Sequence, residues 1–92
     1  MKLIFPPYVL KRMIERNIGV DEVRHVLENG EIIEEYWDDD PPRYLMLGWG
    51  GNRPLHVVGE DDAKTEETTV VTAYEPDRKL WKIGFRERKK TR

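Results

Sequence analysis

Few side chains in this sequence do proton chemistry near neutral pH, and His56 is the foremost of them. Its imidazole titrates ordinarily at about 6.5, and it stands inside a strand-forming run, Arg53 to Val58, which would hold it on a rigid scaffold as an acid–base group. The same position equally suits a histidine that fills space within a sheet and hydrogen-bonds a neighbour. Arg12 and Arg16 lie four residues apart with Tyr8 one turn earlier, so two guanidiniums and a phenol share one helical face able to hold a phosphate. Ordinary pairing with Glu15 and other surface acids is the competing account. Arg43 and Arg53 open two later strands, and Tyr74-Glu75 closes the last, so antiparallel pairing can carry some of them toward His56. A strand tyrosine, however, commonly serves packing. The segment Arg78 to Lys90 mixes cations with Trp81 and Phe85, a composition suited to phosphate contact and base stacking, or to a solubilising end whose aromatics dock on the sheet.

Other chemistry is poorly supplied. With two histidines and no cysteine, neither a transition-metal site nor a disulfide framework can be drawn. His25 falls on the polar side of a helix, and Asp38-Asp39-Asp40 lacks the spacing of a calcium loop. No nucleotide loop, catalytic triad or cofactor motif is present, so no cofactor is expected.

The elements that must position these groups follow from periodicity. Pro6-Pro7 suits a first helical turn, and Leu10, Met13 and Ile14 recur at helical spacing, which predicts a helix over about Pro7 to Arg16. Asn17-Ile18-Gly19 ends it. Gly19 then caps a second, short helix with Asp21 and Glu22 in its first turn, Val20, Val23, Val26 and Leu27 as its apolar stripe and Asn29-Gly30 as a left-handed stop. Beyond Gly30 the period changes to that of strands: Glu31 to Trp37, Arg43 to Trp49, Arg53 to Val58 and Thr68 to Glu75. Asp38 to Pro42 and Gly50-Gly51-Asn52 are turns, and Gly59 to Glu67 reads as a long, acidic, mobile connection.

The expected fold is therefore α+β: two N-terminal helices packed on one face of a four-stranded antiparallel meander, with a short helical or irregular basic tail. Tyr44 to Trp49 is apolar on both sides, so the second sheet face needs cover, which Leu80-Trp81 and Ile83 to Phe85 can supply. A hydrophobic content of 38% furnishes one core, giving a single domain over 1–92, compact over about 3–85 and frayed over 86–92. The 37% of charged residues is interleaved with periodic apolar runs, which argues against disorder. Pro6 and Pro7 interrupt the initial apolar run well short of a signal or membrane span, and a cytoplasmic location with no membrane partner is expected. The net charge of −2 conceals acids gathered in Glu31 to Asp40 and Glu60 to Glu67 and a basic end.

Several stretches together have a familiar order: Leu10-Lys11-Arg12-Met13-Ile14-Glu15-Arg16, Val26-Leu27-Glu28-Asn29-Gly30-Glu31-Ile32-Ile33-Glu34-Glu35-Tyr36, Arg43-Tyr44-Leu45, Gly48-Trp49, Arg53 to Val58, and Thr72-Ala73-Tyr74-Glu75-Pro76-Asp77 with Trp81 after it. From Tyr8 to Trp81 the chain resembles the small prokaryotic family catalogued as domain of unknown function 4258. That family is distantly similar to RelE and BrnT toxin ribonucleases, in which basic or aromatic side chains on a sheet act on RNA. The resemblance implies a metal-independent endoribonuclease, and the residues read above would serve it with His56 as acid–base, Arg12 and Tyr74 completing the catalytic set, and Tyr8, Arg16, Arg43, Arg53, Trp81 and Arg86 contacting RNA. It also implies an antitoxin-like protein partner.

Two departures bear on that implication. Family members typically carry His where this chain has Tyr8, which points toward an altered or inactive member, and the acids of Glu60 to Glu67 would repel RNA near the sheet edge. The alternative is a non-catalytic RNA- or protein-binding module. A homo-oligomer formed through an open sheet edge is a further expectation.

Overall fold

The computed structural model describes residues 1–90, in the order β1 (Lys2–Ile4), α1 (Pro7–Glu15), α2 (Val20–Asn29), β2 (Glu31–Tyr36), β3 (Arg43–Gly50), β4 (Arg53–Asp62) and β5 (Glu67–Tyr74). The class is α+β with two helices, as expected, but the sheet has five strands and is mixed, in the order β1-β5-β4-β3-β2. β2 to β5 form the antiparallel meander. The unforeseen strand is β1, which pairs in parallel with β5 from Lys2↔Glu67 to Ile4↔Thr69. Three residues ahead of a proline pair give too short a pattern to read; Leu3 and Phe5 pack against the helix-side core, and Lys2 meets Glu67 at 3.1 Å.

α1 begins at Pro7, whose missing N–H costs nothing in a first turn. It ends where Asn17 takes a left-handed conformation, φ 56°, so that the Ile18 N–H returns to the Met13 carbonyl at 2.8 Å and Ile18 enters the core. Its buried face is Val9 and Met13; Ile14, expected inside, is 78% exposed. In α2, Gly19 is the N-cap and its N–H donates to Glu22 Oε1 at 3.0 Å. Val23, Val26 and Leu27 are buried, while Val20 lies at the exposed edge of their stripe.

The helix terminator differs from the expected device. Gly30 has φ −78° and is extended, not left-handed. Glycine is needed there because a Cβ would stand 2.5 Å from the Leu47 carbonyl oxygen and 2.6 Å from that of Val26. Gly48 acts likewise: a Cβ on it would meet Val26 Cγ2 at 2.8 Å, so these two glycines bring α2 down onto β3.

The acidic connection also proves shorter and more ordered than its composition suggested. β4 continues to Asp62, β5 starts at Glu67, and Asp62 Oδ1 accepts the Lys64 N–H at 2.9 Å within the turn. Charged residues persist as strand because they have cross-strand partners: Glu60 pairs with Arg43, and Asp61 accepts from the hydroxyls of Tyr44 and Thr68, each at 2.7 Å. Both helices sit on one sheet face, where Val9, Met13, Val23, Val26 and Leu27 meet Met46, Leu55, Val57, Val70 and Ala73. Alternation puts Leu45, Leu47, His56 and Tyr74 on the other face. Residues 77–90 cross that face as a strap with neither helix nor regular strand; of the residues expected to cover it, Trp81 is buried and Phe85 half-buried, while Leu80 and Ile83 are exposed. The strap is held well beyond Phe85: Arg86 donates to Glu31 at 2.6 Å, Arg88 to Glu34 at 2.9 Å and the Lys89 N–H to the Leu80 carbonyl at 2.8 Å, so 86–89 are tied down where fraying was expected. The last part of the expected frayed end, 91–92, lies outside the described residues. No helix among them is long and apolar enough to cross a membrane.

Candidate functional site

His56 stands opposite Leu47 on one side and Tyr74 on the other, in the middle of β4. It has no exposed surface. Nε2 lies 2.9 Å from the Phe85 carbonyl oxygen, and because a carbonyl only accepts, Nε2 carries the proton. In the neutral ring Nδ1 is then the acceptor for the Tyr74 hydroxyl at 3.3 Å. Trp81 meets the imidazole edge to face, centroids 4.4 Å apart. Burial lowers the His56 pKa against the opposing pull of the Phe85 carbonyl and Glu34. The ring is neutral, with both nitrogens engaged, and a substrate reaches it only if the strap leaves.

Around this ring the structure assembles a network that the sequence reading missed. Arg88 donates to both oxygens of Glu34, at 2.9 and 3.1 Å, and its guanidinium lies 4.6 Å from the Trp81 ring centroid. The Tyr36 hydroxyl also donates to Glu34. Burial on its own would raise the Glu34 pKa, but the bonds from Arg88 and Tyr36 outweigh it and leave the carboxyl below its ordinary value. Burial, with Glu34 beside it, pushes Tyr36 up to about 12. A register shift between Ile32 and Glu34 sends Glu34 to the strap face, and simple alternation along Glu-Ile-Ile-Glu-Glu-Tyr does not show it.

The expected site residues do not converge. Tyr74 does reach His56, and burial raises its pKa. Of the expected arginines, Arg16 reaches the strand that carries Tyr74: from the end of α1 it donates to the Ala73 carbonyl at 2.9 Å, meeting a β5 edge that β1 is too short to cover. Arg12 and Tyr8 stay together on the opposite side of the sheet, with Arg12 Nε donating to the Tyr8 hydroxyl at 3.2 Å and Glu15 3.6 Å away. Arg43 is paired with Glu60 four residues along β3 from Leu47, roughly 13 Å at the rise of a strand. Arg53 belongs to the helix side, where it holds both Glu22 oxygens at 2.7 Å and the Asn17 carbonyl at 3.0 Å. The Gly19 N–H first, then Arg53, lowers the Glu22 pKa. Trp81 is buried and offers no open face for stacking, while Arg86 is exposed beyond its bond to Glu31.

What the strap presents to solvent is positive. Arg78, Lys79, Lys82, Lys89 and Lys90 are all exposed, and of these only Lys82 has an acidic partner among the described residues, Glu87 at 3.2 Å. Arg78, Lys82 and Lys89 border a hollow of about 310 Å³ whose floor is Trp81, Gly84 and Phe85, with Ile83 fully exposed beside it.

Residues 9–75 match the model of the family described as domain of unknown function (DUF4258), which is well over half of the chain. The chain belongs to the DUF4258 family. No curated protein and no solved structure matches it. The DUF4258 match contains His56, Glu34 and Tyr74 and ends before the strap, so Trp81 and Phe85, which cover His56, lie outside the matched stretch.

Proposed function

We propose that this DUF4258 chain binds single-stranded RNA through the outer surface of the strap and does not cleave it. The observation that carries the reading is the double engagement of His56 beneath a strap that exposes Arg78, Lys79, Lys82, Lys89 and Lys90, of which only Lys82 has an acidic partner among the described residues. The best acid–base group is unavailable to a phosphodiester, whereas Arg78, Lys82 and Lys89 border a hollow able to seat a phosphate, with Ile83 as an apolar contact for a base and Lys79 a further exposed cation on the strap. Tyr8 in the place of a histidine favours the same side. The distant likeness to RelE and BrnT ribonucleases is an analogy of fold, and folds host unrelated activities. The absence of cysteine suits a cytoplasmic setting, where RNA is at hand.

The test is RNA binding and cleavage in EDTA at low and physiological salt, with wild type, Lys79→Glu/Lys89→Glu and His56→Gln. The expected outcome is salt-sensitive binding of intact RNA, with the double reversal flattening the slope of log affinity against log salt by about 0.7 per lost phosphate contact. Cleavage by wild type that disappears in His56→Gln would establish the ribonuclease in its place. No binding at low salt would remove both.

A further inference from the structure

Across the sheet from β1, the outer edge of β2 is open. β2 is the last strand in the order, and among the described residues its only strand partner is β3 and the only backbone bond it makes outside that ladder is from the Asp39 N–H to the Tyr36 carbonyl. Beside this edge, past the end of α2, the helix-side face of the sheet is uncovered. It forms a groove of about 590 Å³ lined by Leu27, Ile32, Trp37, Tyr44 and Met46. Ile32 is 52% and Trp37 70% exposed, so two large apolar side chains flank a row of free backbone donors and acceptors.

The charge of this region selects among occupants. Glu35 and Asp61 line the groove, and Asp38, Asp39 and Asp40 follow Trp37 directly, none of these five meeting a cation among the described residues. Arg43, which also lines the groove, is paired with Glu60. RNA is repelled by such a rim. A second copy is disfavoured as well, because two β2 edges laid together would bring Glu31, Glu34 and Glu35 of each to one seam, with Glu35 of both uncompensated. We propose that the β2 edge and its groove take an extended segment of another protein that alternates basic with apolar side chains. Backbone bonds to β2 would supply register, the apolar side chains would enter beside Ile32 and Trp37, and the cations would meet Glu35 and Asp38 to Asp40. This goes beyond the RNA reading and uses the opposite side of the sheet.

The probe is a short synthetic strand alternating Lys or Arg with Val or Ile, alongside its Lys-to-Glu counterpart and a version N-methylated at alternate amides. Binding to the full chain is followed by peptide anisotropy, with circular dichroism confirming the fold of each variant. The basic strand is expected to bind. The acidic and N-methylated strands are not, and Trp37→Ala and Glu35→Lys should each weaken binding about tenfold. Lys79→Glu/Lys89→Glu should leave it unchanged whether or not the chain binds RNA. Absence of binding would overturn the proposal, as would affinity indifferent to Trp37→Ala and Glu35→Lys. A dimer of the free chain that Ile33→Pro dissociates in sedimentation would assign the edge to a second copy.

Discussion

On one face of the sheet, α1 and α2 press an aliphatic stripe onto Met46, Leu55, Val57, Val70 and Ala73; on the other, a strap without regular structure covers His56. The helix side is held by burial of apolar surface, which is non-directional and forgives changes that keep volume. The strap side is held by particular partners: the Phe85 carbonyl on His56, Trp81 against its ring, Arg88 on Glu34 and Arg86 on Glu31. Each of these fails individually, and the ionic ones respond to pH and salt. One sheet thus carries two faces held by different forces, and the strap face is expected to release separately from the domain.

The largest effect should come from the helix side. Leu55→Ala leaves a cavity in that core and should lower stability by about 2–5 kcal/mol in one cooperative transition, measured by denaturant unfolding. A change confined to the strap would break the comparison. Trp81→Ala comes next, at about 3 kcal/mol, and should act locally: residues 77–90 become sensitive to protease while the sheet stays folded, and His56 titrates near its ordinary value of about 6.5 by NMR. Global unfolding in that variant would mean that the two faces form a single cooperative unit.

The smallest effect is on pH. The folded pKa of His56 is depressed, so below about 6.5 the unfolded chain takes up a proton that the native ring refuses, and stability falls as pH drops through that value. Glu34 adds the usual carboxylate loss at lower pH: its contribution is complete above its unfolded value of 4.5 and declines as pH falls toward its depressed folded value. His56→Gln should remove the first step and leave the second, read as stability against pH. A His56→Gln variant with an unaltered profile would place the titration elsewhere.

The elements were legible where period and punctuation agree. Val23, Val26 and Leu27 at helical spacing, and Arg43 to Trp49 between two turns, located α2 and β3 closely. β1 escaped because three residues carry no period, and the end of β4 because Glu60 to Asp62 are poor strand formers in isolation that become adequate beside Arg43, Tyr44 and Thr68. For the candidate site, residue type singled out His56 and Tyr74 and the strap's cover of the outer face, but their surroundings depend on register. Arg12, Arg43 and Arg53 match a phosphate clamp by type, yet Tyr8, Glu60 and Glu22 hold them at separate places. Glu34 and Arg88, far apart in sequence, meet only after a bulge turns one of them over.

The parallel pairing of β1 with β5 has a kinetic corollary. Residue 2 finds its place only against residue 67, so the last ladder to close spans most of the chain and carries the greatest loop-closure entropy. The β2 to β4 hairpins and α2 bring together nearer neighbours and can condense first. During synthesis the N-terminal strand therefore emerges early and waits, unpaired, until β5 has left the ribosome, and for that interval Leu3, Ile4 and Phe5 are the segment a chaperone would meet.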